Sequence, residues 1–339
     1  MNPRVVLASS GLMMLPSALQ GEPSMAYQRT FGPAVDPITR LGWGLGIISL
    51  SVIVIIGALL LGGIFRKRST IPAAELPQPT ARDDAGGMAW IYIGTGTTVL
   101  ILIGCVVWTL LVTAAVAEPA GAREMTVEVT ASQWWWSLRY DNQNPGQIFN
   151  TANEIHIPVG RPVRFELSSA DVIHSFWVPQ LAGKMDVIPG QTNVAWMQAD
   201  KAGVYRGQCA AFCGPQHAHM ALLVVAETPE AFAAWREGQV TESVMPATDE
   251  AHHGQLIFET HCAPCHTIRG VTPAGIRGPD LTHLMTRRTL AAGLLPNTPE
   301  NLTGWIASPQ FFKPGAHMPD HILSGPELIA VAAYLHTLN

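Results

Sequence analysis

The sequence predicts a multidomain membrane protein: a two-helix transmembrane hairpin, an antiparallel β-barrel domain and an all-α C-terminal domain. Three observations carry this expectation. Two charge-free apolar runs, each above twenty residues, lie in the first third of the chain, and such runs cross a hydrocarbon core of about 30 Å. Short alternating segments with turn residues between them fill roughly the next hundred positions, the pattern of a sandwich or barrel. Two compact clusters of cysteine, histidine and methionine follow, the second ahead of a last helical stretch. A chain of 339 residues suffices for two or three domains. Only 13% of residues are charged, low for a soluble protein, and a net charge of −5 argues against nucleic acid as a partner.

Residues 1–40 read as an N-terminal tail or a signal peptide, since a patchily apolar stretch from Val5 to Leu19 follows Arg4. Residues 41–118 form the hairpin, with spans at about 43–65 and 90–116. The first runs from Trp43 to Phe65 and ends in Arg66-Lys67-Arg68, a cluster expected on the cytoplasmic side. A proline-rich loop through Pro72, Pro77 and Pro79 leads to the second span, which opens with Trp90 and Tyr92 as interface anchors. Everything after Val116 then lies on the outer face, the periplasm in a Gram-negative cell. Two runs of this length set aside a buried soluble hairpin. Cys105, within the second run, carries no assigned chemistry.

Residues 119–228 hold the strands. Met125–Thr130, Ile155–Val159, Val163–Leu167 and Ala221–Val225 alternate as short strands do. Between Gln208 and Ala221 lies an inter-strand loop, Cys209-Ala210-Ala211-Phe212-Cys213-Gly214-Pro215-Gln216-His217-Ala218-His219-Met220. Two thiols, an imidazole and a thioether at these steps can converge on one point. Soft sulfur ligands with imidazole point to copper. Such a set makes either a mononuclear blue-copper site or, since those use a single thiolate, a pair of ions bridged by both cysteines. The pair needs a second imidazole, and His174 in Asp171-Val172-Ile173-His174-Ser175-Phe176-Trp177-Val178-Pro179 is well placed to supply it. Structural zinc usually uses shorter cysteine spacing and no methionine. A disulfide leaves His174, His217 and Met220 unexplained.

These two motifs resemble the binuclear copper (CuA) site of cytochrome c oxidase subunit II. The resemblance implies a cupredoxin domain with ligands Cys209, Cys213, His174, His217, Met220 and the backbone carbonyl of Ala211. It also gives a role to Gln133-Trp134-Trp135-Trp136-Ser137. Three consecutive tryptophans cannot share one face of a strand, so packing accounts for some and not all. The family has a similar aromatic patch whose first tryptophan receives electrons from cytochrome c, which makes Trp134 the matching residue. One departure stands out. The position midway between the cysteines is usually glutamate, whose carboxylate reaches a magnesium or manganese ion beside subunit I, and here it is Ala211. A weak or absent ion site is the expectation, with Asp186 in Lys184-Met185-Asp186 as a partial substitute.

Residues 229–250 read as a linker, with Thr228-Pro229-Glu230 able to start a short helix, and 251–339 as the last domain. Cys262-Ala263-Pro264-Cys265-His266 has the spacing for covalent haem c, each thiol adding to a vinyl group and His266 facing the iron. Electron transfer needs a sixth ligand, and a thioether raises the potential. Met285 and Met318 are the downstream candidates. The segment resembles a class I cytochrome c, where a Met-Pro pair is axial. That selects Met318 in His317-Met318-Pro319, leaves Met285 for packing and puts His317 near the haem edge.

Residues 40–339 together resemble subunit II of a caa-type haem–copper oxidase with a fused cytochrome c. The resemblance implies an electron relay from an external donor, a cytochrome c or an upstream respiratory complex, through haem c and copper to subunit I. It implies further membrane subunits and lipid as neighbours, and a multi-pass location in the bacterial cell (inner) membrane. No catalytic residue is expected in this chain, because both centres are saturated and oxygen chemistry lies in subunit I. A quinol oxidase subunit II lacks the copper ligands. A copper-containing nitrogen-oxide reductase subunit and a free-standing membrane-anchored shuttle are the alternative readings.

Overall fold

The computed structural model describes residues 25–66, 85–117, 125–271, 275–320 and 323–339. The N-terminal tail through residue 24, Lys67, Arg68 and the proline-rich loop lie outside the described residues.

Two helices come first, α1 (Asp36–Phe65) and α2 (Ala85–Ala117). Both exceed the spans expected from the apolar runs. At about 1.5 Å per residue even the shorter is about 45 Å long, and both are apolar enough to cross a membrane by length and composition. Trp108 of α2 lies so close to Gly44 of α1 that a Cβ there would sit 2.2 Å from its ring, so only glycine permits this approach. The pair is tied to the next domain at one end. Trp196 Nε1 donates to the Val116 carbonyl at 2.9 Å. Ahead of α1, Phe31 bridges two loops of that domain, donating to Gln180 O and accepting from Asp200 N.

That domain contains β1 (Met125–Ser132), β2 (Trp135–Tyr140), β3 (Phe149–Ala152), β4 (Glu154–Pro158), β5 (Val163–Ser169), β6 (His174–Trp177), β7 (Met185–Val187), β8 (Asn193–Met197), β9 (Gly203–Cys209) and β10 (Ala221–Glu227). They form two facing sheets, ordered β3-β2-β1-β5-β8 and β4-β10-β9-β6-β7. The expected antiparallel arrangement holds for most pairings, and the parallel ones are β1–β5 and β4–β10. Alternation sets the core: Val127, Val129 and Ala131 of β1 and Val163, Phe165 and Leu167 of β5 are buried between the sheets. Trp136 and Trp134 are buried and Trp135 is half-exposed, as a period of two requires. Truncating a tryptophan as buried as Trp136 to alanine costs about 3–5 kcal/mol.

The stretch 229–250 opens with the short helix that Thr228-Pro229-Glu230 is able to start. Thr228 caps α3 (Pro229–Gln239) by accepting from Ala231 N. This helix packs on the barrel, with Trp235 stacked on His156 at 4.1 Å and Phe232 in the barrel core. Proline at the first turn, a threonine cap and an apolar face explain why a polar-looking segment is helical. The last domain begins with α4 (Asp249–His261), capped by Thr248, and closes with α7 (Gly325–Leu335), capped by a Ser324–Glu327 box. The two cross where a Cβ on Gly254 would sit 1.9 Å from Ala330 O. Between them lie α5 (Pro299–Ala307), α6 (Pro309–Phe312) and one element outside the helical expectation. This is a hairpin of β11 (Thr289–Leu290) and β12 (Leu295–Pro296). Its turn holds Ala291, Ala292 and Gly293 at positive φ.

Candidate copper and haem centres

Strand pairing assembles the first cluster. β6 pairs with β9, placing Phe176 opposite Cys209, and Cys209 N donates to Met220 O, closing the loop between β9 and β10. Cys209 Sγ and Cys213 Sγ are 3.8 Å apart. His174 Nδ1 lies 3.9 Å from Cys209 Sγ, His217 Nδ1 3.6 Å from Cys213 Sγ, and Met220 Sδ 3.9 Å from Cys213 Sγ. The Ala211 carbonyl is 3.2 Å from Cys209 Sγ. His174, both cysteines and Met220 are buried. Each thiol thus has one imidazole within 4 Å, His174 beside Cys209 and His217 beside Cys213.

Electrostatics suit a cation. The hydrogen bond from Cys213, with others from His174 and backbone amides, outweighs burial and pulls the Cys209 thiol well below the usual thiol range. Cys213 is pushed up, because its bond to Cys209 would be lost and two anions would face each other. Burial alone would lower His174, but Cys209 and Asp171 raise it. Asp171, which the sequence motif includes without a role, holds that ring: its Oδ1 lies 2.8 Å from His174 Nε2, while Gln133 N donates to its Oδ2. Nδ1 therefore turns to the sulfurs. The Trp136 ring meets His174 edge-on at 6.2 Å.

In the second cluster Cys262, His266 and Met318 line one largely apolar cavity. Cys265 lines an adjoining cleft with His266 and Met318. His266 Nδ1 donates to Pro279 O at 2.8 Å, which leaves the lone pair on Nε2. A Cβ on Gly278 would lie 2.5 Å from His266 Cε1, so glycine lets that loop back the ring. Burial pushes the Cys262 thiol up to about 11. Met285 packs on the helical core instead, its N–H bonded to Leu338 O.

The two clusters face each other across a domain contact. Trp134 Nε1 donates to Cys213 O at 3.0 Å, and its ring lies 6.5 Å from that of His317, next to Met318. Trp134 is only 6% exposed. Gln216 Nε2 donates to Pro314 O. Ala221 N donates to Ala292 O, and Arg288 N to Glu154 Oε2. Neither Gln216 nor Lys313, also at this contact, was singled out by motif.

Residues 141–227 match the family "Cytochrome C oxidase subunit II, periplasmic domain", and residues 251–339 match "Cytochrome c". The cytochrome c oxidase subunit 2 of Alkalihalophilus pseudofirmus is 36% identical over 268 residues, covering 78% of this chain and 76% of that protein. The chain belongs to the cytochrome c oxidase subunit 2 family. The subunit 2 of Bacillus sp. strain PS3 is 32% identical over 266 residues, 73% of each chain. The crystal structure of the periplasmic domain of subunit II of Bradyrhizobium japonicum cytochrome oxidase is 31% identical, with a TM-score of 0.33. It covers 36% of this chain and 96% of that one. The protein is a cytochrome c oxidase subunit II with a fused cytochrome c domain, and its partner is subunit I of a haem–copper oxidase. Its cofactors are binuclear copper and haem c. It is membrane-anchored, with its two cofactor domains of periplasmic type.

Proposed function

We propose that this subunit II carries electrons from an external donor to its haem domain, across Trp134 to its copper domain, and on to subunit I. The observation that carries this reading is Trp134 itself, bonded to the Cys213 carbonyl on one side and facing His317 on the other. In this reading Cys209, Cys213, His174, His217, Met220 and the Ala211 carbonyl hold the copper pair. The donor chemistry fits: two thiolates 3.8 Å apart, each with one imidazole, suit a bridged pair better than one ion. Cys262 and Cys265 would attach haem c and His266 and Met318 would ligate it, and the apolar cavity lined by Cys262, His266 and Met318 suits such a group. When bound, the two centres would supply one-electron couples. Asp171 fixes the His174 ring and Pro279 fixes that of His266, so neither ligand needs to reorient during transfer.

The reading extends to the frame. Residues 41–118 form a hairpin that crosses the cell (inner) membrane twice, its loop cytoplasmic, with lipid against the exposed apolar faces of α1 and α2. Residues 119–228 and 251–339 are the copper and haem domains. A cytochrome c or an upstream respiratory complex is the donor. Since the haem domain covers Trp134, that donor meets the haem domain first.

The test is the purified oxidase complex. Oxygen uptake with a reduced donor, an acid-resistant haem and a seven-line copper hyperfine pattern are expected. A four-line pattern would exclude the bridged pair. In the same complex, haem oxidation after rapid reduction is expected to be independent of protein concentration, since both domains share one chain.

A further inference from the structure

One side chain at the domain contact has chemistry that the relay itself does not require. Lys313 follows α6 and is only 3% exposed. Its Nζ donates to three backbone carbonyls: Trp134 O at 2.7 Å, His219 O at 2.7 Å and Ala291 O at 3.0 Å. Trp134 and His219 belong to the copper domain, the latter beside Met220, while Ala291 sits in the β11–β12 turn of the haem domain. Three acceptors use all three ammonium protons. Among the described residues no carboxylate pairs with Lys313. Burial pulls the ammonium down to about 7, the penalty expected of a cation withdrawn from water without a counter-ion. An apolar side chain would fill the same space without that penalty. What an apolar chain cannot do is draw three carbonyls from two domains to one point.

We propose that Lys313 is a positioning residue that latches the haem domain onto the copper domain, holding Trp134 in line between the two centres. The other bonds across this contact reinforce the assignment by their arrangement. Gln216 to Pro314 lies beside the latch, and Ala221 to Ala292 and Arg288 to Glu154 flank the hairpin whose turn Lys313 grips. Arg269 Nη2 donates to Ile148 O further along the contact, and a short non-helical segment between Gln239 and Asp249 is the covalent tie. A tether alone fixes an average proximity, whereas the latch fixes one orientation.

This inference rests on the relay reading, and the experiment separates the two. In the detergent-solubilised oxidase complex, Lys313→Met keeps the volume and removes the donors. Haem absorbance and the copper hyperfine pattern are expected to stay unchanged. Intramolecular haem oxidation after rapid reduction is expected to slow by about tenfold or more. Amide exchange supplies a second readout. The Ala221 and Arg288 amides, bonded across the contact, are expected to exchange faster, while Val224 inside the barrel is not. Wild-type transfer rates with protected contact amides in Lys313→Met would overturn the latch. If that variant fails to assemble, Lys313→Gln, whose amide retains two protons, is read in the same way. It should be intermediate, and wild-type behaviour there would overturn the latch equally. Should wild-type complex itself show no concentration-independent transfer, the relay falls and the latch with it, even though the contact amides remain protected.

Discussion

The copper and haem centres solve the same task with opposite packing. At the copper site the donors are pressed together by the fold, with His174, Cys209, Cys213 and Met220 at 3% exposure or less and sulfurs 3.8 Å apart. At the haem site the donors line an apolar cavity. The first is a set of ligands inside a finished core. The second is a core with its centre left out. It follows that copper depends on the barrel, whereas the haem domain depends on its haem.

Removing each group breaks the comparison most directly. An unfilled cavity costs about 24 cal/mol per Å³, so the cavity of about 80 Å³ here represents about 2 kcal/mol. That is a sizeable share of the stability of a domain, about 5–15 kcal/mol. Replacing both Cys262 and Cys265 by alanine is therefore expected to loosen the helical domain, seen as faster amide exchange in α4 and α7. Chelating the copper should leave β1, β5 and β10 protected. Equal loss in both domains would end the contrast.

Next in size is the loss of one bridging thiolate. Cys209→Ser or Cys213→Ser is expected to abolish the copper pair and oxygen uptake while haem c stays attached, because a hydroxyl is a poor soft ligand. Copper content and the hyperfine pattern check this. A variant retaining two coppers would show that the thiolates do not bridge.

Much of this arrangement was legible in sequence, and the legible part is local. Unbroken apolar runs announce α1 and α2, period-two burial announces β1 and β5, the copper motif keeps its donors within a dozen residues and one strand pairing, and Cys262, Cys265 and His266 fall within five residues, with Met318 marked by the proline after it. Asp171 was within reach too, since it stands three residues before His174. The domain contact was not legible, for a physical reason. Lys313 and Trp134 are 179 positions apart, and the acceptors are carbonyls that every residue carries. The β11–β12 hairpin escaped because two-residue strands leave no period to detect. The parallel pairs β1–β5 and β4–β10 escaped because alternation sets a face, not a direction.

A smaller effect compares the two thioethers. Met318→Ala is expected to lower the haem potential and slow turnover, since a thioether axial ligand favours the ferrous state. Met285→Ala, away from the cavity, should cost stability without moving the potential. Met220→Leu should keep copper bound and shift only its potential, because the bridging sulfurs still hold both ions. Redox titration of each centre reads all three. A potential that moves with Met285 and not with Met318 would reverse the axial assignment.

The smallest expected change tests a side of the copper loop that the haem domain leaves uncovered. Phe212 there is 80% exposed, and next to it stands Ala211 where the family usually has glutamate. Its carbonyl still reaches the sulfur cluster, 3.2 Å from Cys209 Sγ, so copper should be indifferent to the side chain. A magnesium or manganese ion would not be, because hard cations take oxygen ligands and a methyl group has none. Asp186 is exposed on β7, opposite Ser175, whose carbonyl accepts from Ala210 N. That places a carboxylate-bearing residue on the neighbouring strand without making it a ligand in the chain alone. Complex from cells grown on manganese is therefore expected to hold little of it. Ala211→Glu should gain bound manganese with an unchanged copper hyperfine pattern. Tight, stoichiometric manganese in the unaltered complex would show that the missing carboxylate is replaced, and adding Asp186→Ala would then tell whether Asp186 replaces it.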